Sequence, residues 1–261
     1  MNAAVSLFVP VFNEAGILND TMPRLLRAAE EVAQDVQLVI VDNGSIDTTP
    51  AVTCKLAERD SRIMGLRIAE RGVGAALQAA LPHLRHERVV AVDADLAMDL
   101  AFIGEALRRI EGGADIVVGA KRSDAQERPL YRVLTSDFFV FVLRNGLGVP
   151  FHDVSIGAKA YRRDVLLRYR DLIGRGSNYV IDVLVRAWRD GLTIEELDIA
   201  CEDNRPSHFN LLHEGVYRFG HLFGLVLRRR LGWLRPTPAP SGRSPLPDTS
   251  RRSGAGVPGG K

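Results

Sequence analysis

Short apolar runs rich in β-branched residues alternate along this chain with longer amphipathic segments. A short run that is apolar on both faces favours a buried strand, and apolar residues three to four apart favour a helix. The clearest buried strand is Val36–Val41. The other predicted strands are Val5–Pro10, Ile63–Ile68, Val89–Val92 and Ile116–Val118, and the predicted helices are Asp20–Ala33, Ser45–Arg59, Val73–Leu84 and Leu100–Glu111. This alternation predicts an α/β fold with a mostly parallel sheet flanked by helices.

The pattern changes after Gly119. Beyond it we predict an apolar helix over Leu130–Leu143, a strand over Ile156–Tyr161, a helix over Asn178–Trp188, a strand over Thr193–Ile199 and helical structure over 215–234. From Pro236 onward Pro, Gly, Ser and Arg dominate, a composition typical of disorder. We therefore expect a globular domain over residues 1–212, an amphipathic helix over 213–235 and a disordered basic tail over 236–261.

Charge is unevenly distributed, although the composition is that of an ordinary soluble protein, with 46% hydrophobic and 25% charged residues. The whole chain carries a formal charge of only +2, which gives no indication of a nucleic-acid partner. Residues 217–261 contain nine basic residues and one acid, a local charge of +8, so residues 1–216 carry −6. An acidic body with a basic tail favours an anionic surface, such as a membrane, as the partner of the tail.

The segment before the tail has the pattern of a helix that lies in a membrane interface. Arg228-Arg229-Arg230 follows an apolar stripe formed by Phe219, Leu222, Phe223, Val226 and Leu227. Packing of this stripe on the rest of the protein is the alternative. Neither a membrane-spanning run nor a signal-peptide pattern is predicted, and two cysteines fit a reduced compartment. We expect a cytoplasmic protein that associates peripherally with the membrane.

Polar residues at strand ends are the first candidates for function, because ligands of parallel sheets bind at the carboxyl ends of the strands. Asp42 directly follows Val36–Val41, where its carboxylate can accept a hydrogen bond from the base or ribose of a nucleotide. Gly44 permits a tight turn, and Ser45 can cap the next helix. The alternative is that Asp42 is simply a turn residue.

Asp93 and Asp95 follow the predicted strand Val89–Val92. Two carboxylates one residue apart suit a hard divalent cation that also binds phosphate oxygens. Such a cation neutralises the charge that develops on a departing diphosphate. The spacing alone is common in solvated loops, so it is the position at a strand end that favours a metal site at Asp93 and Asp95.

Gly72-Val73-Gly74 precedes a helix, but it does not form a dinucleotide-binding fingerprint. Position 77 is Leu where a third glycine would stand, and the first strand is followed by Val11-Phe12-Asn13-Glu14, without glycines. Hydride transfer is therefore not favoured. The two glycines predict a loop that another group approaches closely, or a simple helix entry.

Five segments occur together in order: Val9-Pro10-Val11-Phe12-Asn13-Glu14, Val41-Asp42-Asn43-Gly44-Ser45-Ile46-Asp47, Gly72-Val73-Gly74-Ala75-Ala76, Asp93-Ala94-Asp95-Leu96 and Gly119-Ala120-Lys121-Arg122. The ordered set resembles the family 2 glycosyltransferases, in particular the dolichyl- or polyprenyl-phosphate sugar synthases. The segment from Asp153 to Arg163 resembles the acceptor-side motif of that branch. The resemblance extends from about Val5 to Asn210.

The resemblance implies a GT-A fold, a Mg²⁺ or Mn²⁺ ion, and inverting transfer from a GDP- or UDP-sugar to polyprenyl phosphate at the cytoplasmic membrane face. It also implies roles for individual residues. Pro10, Glu14 and Asp42 would line the nucleoside pocket, Asp93 would lie near the phosphates, Asp95 would ligate the metal, and Arg122 and Arg205 would face phosphate groups.

Several positions depart from the family pattern. Asn43 stands where the family has a second Asp, Glu70 where it usually has Asn, and Ile156 where it usually has Ser. Near the end of the matched region, Arg205-Pro206-Ser207-His208 replaces a common Ser-Lys pair. These departures leave the phosphate contacts and the identity of the substrate open.

The acceptor decides which catalytic groups are needed. A phosphate acceptor is already anionic at neutral pH, so transfer to it would depend mainly on positioning and charge neutralisation. A saccharide hydroxyl would need a general base, for which Asp153 and Asp182 are the candidates; the alternative for Asp182 is an ion pair with Arg186. A third interpretation is a non-catalytic protein that binds nucleotide sugars or acts as a membrane scaffold.

Overall fold

The structure, a computed structural model, describes residues 3–121, 146–150 and 157–200, together with the helical positions Gly220, Gly224 and Leu227. The strands in these ranges are β1 (Ala4–Val11), β2 (Asp35–Asn43), β3 (Ile63–Ile68), β4 (Arg88–Ala91), β5 (Ile116–Lys121), β6 (Lys159–Arg162) and β7 (Ile194–Ile199). The α-helices are α1 (Ala15–Glu30), α2 (Thr49–Arg59), α3 (Val73–Ala80), α4 (Ala101–Glu111), α5 (Arg163–Arg168) and α6 (Tyr179–Arg189). Short 3₁₀ helices cover Leu81–His83 and Arg170–Leu172.

The strands form one sheet in the order β3-β2-β1-β4-β6-β5-β7. All pairs are parallel except those of β6, which runs antiparallel to both β4 and β5. The predicted α/β fold with a mostly parallel sheet is confirmed. Because β6 runs against β4, its first residue, Lys159, lies opposite Ala91 at the carboxyl end of β4. The reversed strand therefore brings residues 157–159 to the edge of the sheet at which the predicted site lies.

Two apolar layers sandwich the sheet. One packs α1 and α4 against it through fully buried side chains such as Leu18, Met22, Ile103 and Leu107. The other packs α3, α5 and α6 against the opposite face, through side chains such as Leu77, Leu166, Val183 and Leu184. Burying one such side chain stabilises the fold by about 1.5–3 kcal/mol. The apolar periodicity of these helices thus fixes which face each presents to the sheet.

Most predicted elements are confirmed, with shifted ends. β2 continues through Asn43, so Asp42 is the penultimate residue of the strand and not the residue after it. The prediction that Ser45 opens and caps the next helix was wrong: α2 begins at Thr49, and the Ser45 hydroxyl instead accepts a hydrogen bond from the backbone of Asn13. α1 begins earlier than predicted, at Ala15. The short helix α5 was not predicted.

Several predictions lie outside the described residues. They are the helix over Leu130–Leu143, the disordered tail and most of the 213–235 helix, of which only the helical positions Gly220, Gly224 and Leu227 are described. Within the described part of the chain, no helix has both the length and the apolar character needed to cross a bilayer. The proposed boundaries at 212 and 235 stay predictions.

Candidate active site

The loops that follow β1 and β2 are interlocked at the carboxyl edge of the sheet. The backbone N–H of Asn13 donates to the Ser45 hydroxyl over 2.9 Å, and the N–H of Ile46 donates to the Asn13 side-chain oxygen over 3.0 Å. The N–H of Glu14 donates to the Thr49 hydroxyl over 2.9 Å. These bonds fix the segment that carries Pro10 and Glu14 against the end of β2. Pro10 and Glu14 are therefore held beside Asp42, the third residue predicted for the nucleoside pocket.

Asp42 is buried, with 1% of its surface exposed. Its Oδ1 accepts the backbone N–H of Ser45 over 3.1 Å, across a turn in which Gly44 has a φ of 77°. Its Oδ2 lies 3.2 Å from Nε of Arg67, without a hydrogen bond of good geometry. Gly44 thus permits the tight turn as predicted, and one carboxylate oxygen closes it. The predicted contact of Asp42 with a nucleoside would use Oδ2 and would require Arg67, whose side chain is largely exposed, to move aside.

Asn43 points to the opposite face of the sheet from Asp42, because neighbouring side chains of a strand alternate. Its side-chain oxygen accepts the backbone N–H of Gly72 over 2.6 Å, and only 4% of its surface is exposed. An amide supplies this acceptor without a buried negative charge. Asn43, which stands where the family has a second Asp, therefore makes a structural hydrogen bond to the loop at Gly72.

Asp47 joins the two interlocked loops. Desolvation alone would raise the pKa of its carboxyl, but hydrogen bonds from the Thr49 hydroxyl and from the backbones of Thr49 and Ala15 lower this pKa below 3.8 overall. We expect Asp47→Ala to reduce the free energy of unfolding at neutral pH by about 0.5–1 kcal/mol, the low end for a cap because the carboxylate is exposed. A depressed pKa stabilises the fold above the unfolded pKa, so the difference should shrink as the pH falls through the folded pKa.

Urea unfolding at neutral and acid pH measures this difference. Asp171→Ala is the matched control, since the Asp171 side chain is 92% exposed and forms one long ion pair, at 3.7 Å, with Arg170. Equal unfolding midpoints for wild type and Asp47→Ala at neutral pH would contradict the prediction.

Asp93 and Asp95 lie just beyond β4, at the same sheet edge as Asp42. Only β1 separates β4 from β2, so the two sites are about 10 Å apart across the sheet, two strand spacings. The turn after β4 is tight: the N–H of Leu96, whose φ is 51°, donates to the Asp93 carbonyl over 3.2 Å. The predicted nucleoside and metal residues therefore share one edge.

The start of β6 closes around the Asp93 side chain. The backbone N–H of Gly157 donates to the Asp93 carboxylate, and a Cβ atom on Gly157 would overlap that carboxylate. Lys159, two residues on, is 3% exposed and lies beside Asp93. Asp93 is thus seated by a strand that is more than 60 residues away in the sequence.

The electrostatics of Asp93 reflect this seat. Asp93 keeps accessible surface, yet the loss of hydration around its carboxylate raises its pKa. The Lys159 cation and the Gly157 N–H oppose this rise, whereas the negative charge of Asp95 adds to it. The pKa of the Tyr179 hydroxyl, in the first turn of α6, is also raised, by burial and by the charge of Asp93. Asp93 therefore lies beside Lys159 of β6 and within electrostatic range of Tyr179 of α6.

The two carboxylates fit a cation that shares its coordination with a substrate. Oδ1 of Asp95 accepts the N–H of Ala97 over 3.1 Å, which fixes the side chain while its other oxygen can reach a metal. No group of three or more His, Cys, Asp or Glu side chains suited to a metal occurs among the described residues. Mg²⁺ and Mn²⁺ sites with few protein ligands take their remaining oxygens from water and phosphate. Asp93 and Asp95 are consistent with such a site.

The other predicted site residues are only partly described. Asp182 lies half-buried in the first turn of α6. The same turn contains Tyr179, on which the charge of Asp93 acts. Arg186, its predicted ion-pair partner, forms an ion pair with Asp190 over 3.3 Å. Outside the described residues lie Arg122, Asp153, Ile156, Arg205 and His208.

Three residues at the site received no role from the sequence: Gly157, Lys159 and Tyr179. All three contact or electrostatically influence Asp93. The sequence pointed only to the segment that contains Gly157 and Lys159, which resembles an acceptor-side motif, and it assigned neither residue a function. Their proximity to Asp93 follows from the antiparallel direction of β6, which a pattern of apolar residues does not reveal.

Sequence comparison places these motifs among known proteins. A family model described as "Glycosyl transferase family 2" matches residues 6–170. The chain is 32% identical over 165 residues to an undecaprenyl-phosphate 4-deoxy-4-formamido-L-arabinose transferase from Shewanella sediminis, a match that covers 62% of this chain and 49% of the relative. It is 28% identical over 203 residues to the polyprenol monophosphomannose synthase of Mycolicibacterium smegmatis, covering 74% and 75%. The chain spans about half the length of the first of these relatives.

Structural comparison agrees on the fold. Glucosyl-3-phosphoglycerate synthase from Mycobacterium tuberculosis, solved with Mn²⁺ and uridine-diphosphate-glucose, superposes with a TM-score of 0.61 at 18% identity, covering 88% of this chain and 79% of that one. At this identity the likeness concerns the fold alone. The predicted GT-A fold is confirmed.

Proposed function

The chain belongs to glycosyltransferase family 2, and from this premise we propose that it transfers a sugar from a GDP- or UDP-sugar to a polyprenyl phosphate at the cytoplasmic membrane face, with inversion at the sugar. The names of its relatives support the lipid acceptor, because they are a transferase acting with undecaprenyl phosphate and a polyprenol monophosphomannose synthase. The nucleotide and the sugar are open between the GDP and UDP classes.

The observation that carries the proposal is the arrangement of carboxylates at one sheet edge. Asp93 and Asp95 lie beyond β4, and Asp42 lies near the end of β2, with only β1 between them. A nucleoside diphosphate would lie along this edge, with its nucleoside beside Pro10, Glu14 and Asp42 and its diphosphate towards β4.

Asp93 and Asp95 would hold the divalent cation, Mg²⁺ or Mn²⁺. Such an ion supplies neutralisation of the negative charge that builds up on a departing diphosphate. The protein fixes the two carboxylates beforehand: the Gly157 N–H and Lys159 seat Asp93, and the Ala97 N–H orients Asp95. Because these groups are already in place, little reorganisation is needed when charge develops.

A polyprenyl phosphate would act through an oxygen that is already ionised at neutral pH, so no strong base is required. We assign Arg122 and Arg205 to phosphate groups of the donor or acceptor. If the acceptor were instead a saccharide hydroxyl, Asp153 or Asp182 would accept its proton. Asp182 is half-buried in the first turn of α6, and this first turn is the part of the helix nearest Asp93.

The C-terminal region would bring the catalytic domain, residues 1–212, to its lipid substrate. The predicted helix over 213–235 would lie in the membrane interface, with the basic tail over 236–261 beside anionic lipid. Each basic residue near such a surface contributes about 1 kcal/mol of attraction. Leu227, on the predicted apolar stripe, is helical and half-exposed, which leaves it accessible to an interface.

The test is transfer itself. The purified protein is incubated with each common GDP- or UDP-sugar, with Mg²⁺ or Mn²⁺, and with polyprenyl phosphate in detergent or vesicles, and lipid-linked sugar is measured. We expect metal-dependent product with one donor class and a loss of about 100-fold or more in Asp95→Asn, because a bound cation is worth several kcal/mol to the transition state. Asp99→Asn, an exposed aspartate of the same loop, is the control and should stay active.

The outcomes separate the competing functions. Donor turnover with a saccharide acceptor but not with polyprenyl phosphate, accompanied by a large loss in Asp153→Asn or Asp182→Asn, would favour the hydroxyl acceptor. Nucleotide binding that ignores added metal and survives Asp95→Ala, with no transfer to either acceptor, would favour a binding protein without catalysis.

A further inference from the structure

Gly72 and Gly74, at the start of α3, are in close contact with the protein's own backbone. The first backbone N–H groups of a helix normally lack partners and can bind an anion such as phosphate. Here the N–H groups of Gly74 and Ala75 both donate to the carbonyl oxygen of Arg175, over 3.0 and 3.2 Å. A carbonyl from a distant segment thus fills the helix end. The predicted close approach is confirmed, and the approaching group is main chain.

We call residues 173–176 the strap. A Cβ atom on Gly72 would overlap the Arg175 carbonyl, and one on Gly74 would overlap the Gly174 carbonyl and lie 2.9 Å from that of Gly176. Only glycine therefore permits this contact at positions 72 and 74. The close approach of the strap therefore explains the glycines at positions 72 and 74.

Two side chains add to the contact. The Arg175 guanidinium lies 2.6 Å from the Glu70 carboxylate, with both side chains largely exposed, and the Gln78 amide donates to the Ile173 carbonyl. Glu70 is one of the departures from the family pattern. In this protein Glu70 forms an ion pair with Arg175.

The strap connects the two halves of the site. On one side Gly72 is bonded to Asn43, next to Asp42 at the end of β2. On the other side only Ser177 and Asn178 separate the strap from α6, whose first turn contains Tyr179 and Asp182. Tyr179 packs in the same buried cluster as Tyr161 of β6, the strand that pairs with β4 and whose start seats Asp93, so the start of α6 lies close to the proposed metal site. A displacement of the strap would therefore move the first turn of α6 away from Asp93.

From these contacts we propose that the strap positions the first turn of α6 at the reaction site, and that Glu70 and Arg175 are positioning residues for it. The role in transfer rests on the proposed function. Neither residue needs to touch the nucleotide or the acceptor, so we expect this ion pair to affect turnover and to leave nucleotide affinity unchanged.

Charge exchange tests the ion pair, since both side chains are exposed and their replacement should not unfold the protein. We expect Glu70→Arg and Arg175→Glu each to lower kcat about three- to fivefold, the scale of one exposed ion pair. The dissociation constant of the nucleoside diphosphate, measured by calorimetry with Mn²⁺, should stay unchanged. The double exchange should restore kcat to within about twofold. Equal kcat in all four proteins, or single losses that the double exchange does not restore, would overturn the assignment of Glu70 and Arg175.

Gly74→Ala tests the strap itself, with Gly16→Ala as control because a Cβ atom at Gly16 meets nothing within 4 Å. We expect Gly74→Ala to lower kcat more than tenfold and to speed amide hydrogen exchange over residues 174–182, while circular dichroism stays native. Exchange over residues 174–182 that matches wild type in a folded Gly74→Ala protein would refute the positioning role. Since exchange is measured without substrate, absence of transferase activity in the wild type would count against the proposed function and leave this test intact.

Discussion

A Gly157→Ala variant is expected to lose turnover by about 100-fold or more while keeping its fold. The added methyl group would overlap the Asp93 carboxylate, which Gly157 also holds through its backbone N–H. Forcing a methyl group into a packed site costs about 1–3 kcal/mol, which the protein can relieve by turning Asp93 out of its seat. A displaced carboxylate would no longer hold the cation against the diphosphate, and misplacement of about 1 Å can cost 100-fold in rate. Turnover under saturating donor and metal measures the loss.

Metal binding measured by Mn²⁺ electron paramagnetic resonance gives a second readout, because weaker Mn²⁺ binding is expected in the same variant. Gly16→Ala is again the matched control, a glycine-to-alanine change in open space. Native turnover and native Mn²⁺ affinity in Gly157→Ala would show that the Asp93 seat does not matter for the reaction.

Lys159→Met is expected to weaken both the fold and the reaction at neutral pH. Lys159 is 3% exposed and its cation lowers the pKa of Asp93. Removing one partner of a fully buried pair costs about 3–5 kcal/mol, and we expect about 2 kcal/mol here because Asp93 keeps accessible surface. Without the cation the pKa of Asp93 rises further, so a larger fraction of Asp93 is protonated and unable to hold a metal. We expect about a tenfold loss in kcat and an acid limb of the pH–rate profile that moves to higher pH.

The destabilisation caused by Lys159→Met is expected to depend on pH. A carboxyl whose pKa is raised in the folded state favours folding when it is protonated, and that contribution is lost as the pH rises through the folded pKa. The raised pKa of Asp93 therefore makes the destabilisation in Lys159→Met largest at neutral pH and smaller in acid. Urea unfolding across this range measures it. Lys159→Arg, which keeps the cation, should retain most of the stability, and a Lys159→Met protein as stable and active as wild type would contradict the prediction.

The strand pattern was sufficient to predict much of the candidate site. β2 is apolar on both faces and ends in Asp42 and Asn43, and β4 is followed by Asp93 and Asp95. Parallel strands connected by helices place their carboxyl ends at one edge, so these carboxylates were expected to lie together before any contact was known. The prediction was wrong at the turn after β2: the Ser45 hydroxyl accepts a hydrogen bond from Asn13 of another loop, and the helix begins only at Thr49.

The sequence by itself determined the α/β layering, the sheet edge that carries the candidate site and the acidic residues placed there, because these depend on periodicities and strand ends within single segments. Tertiary structure alone decided which distant groups meet: Gly157 and Lys159 with Asp93, Asn43 with Gly72, and the strap with Gly74. Such contacts depend on the reversed direction of β6 and on how the strap before α6 packs against α3. Both are consequences of packing across the whole sheet, and no local run of residues encodes them.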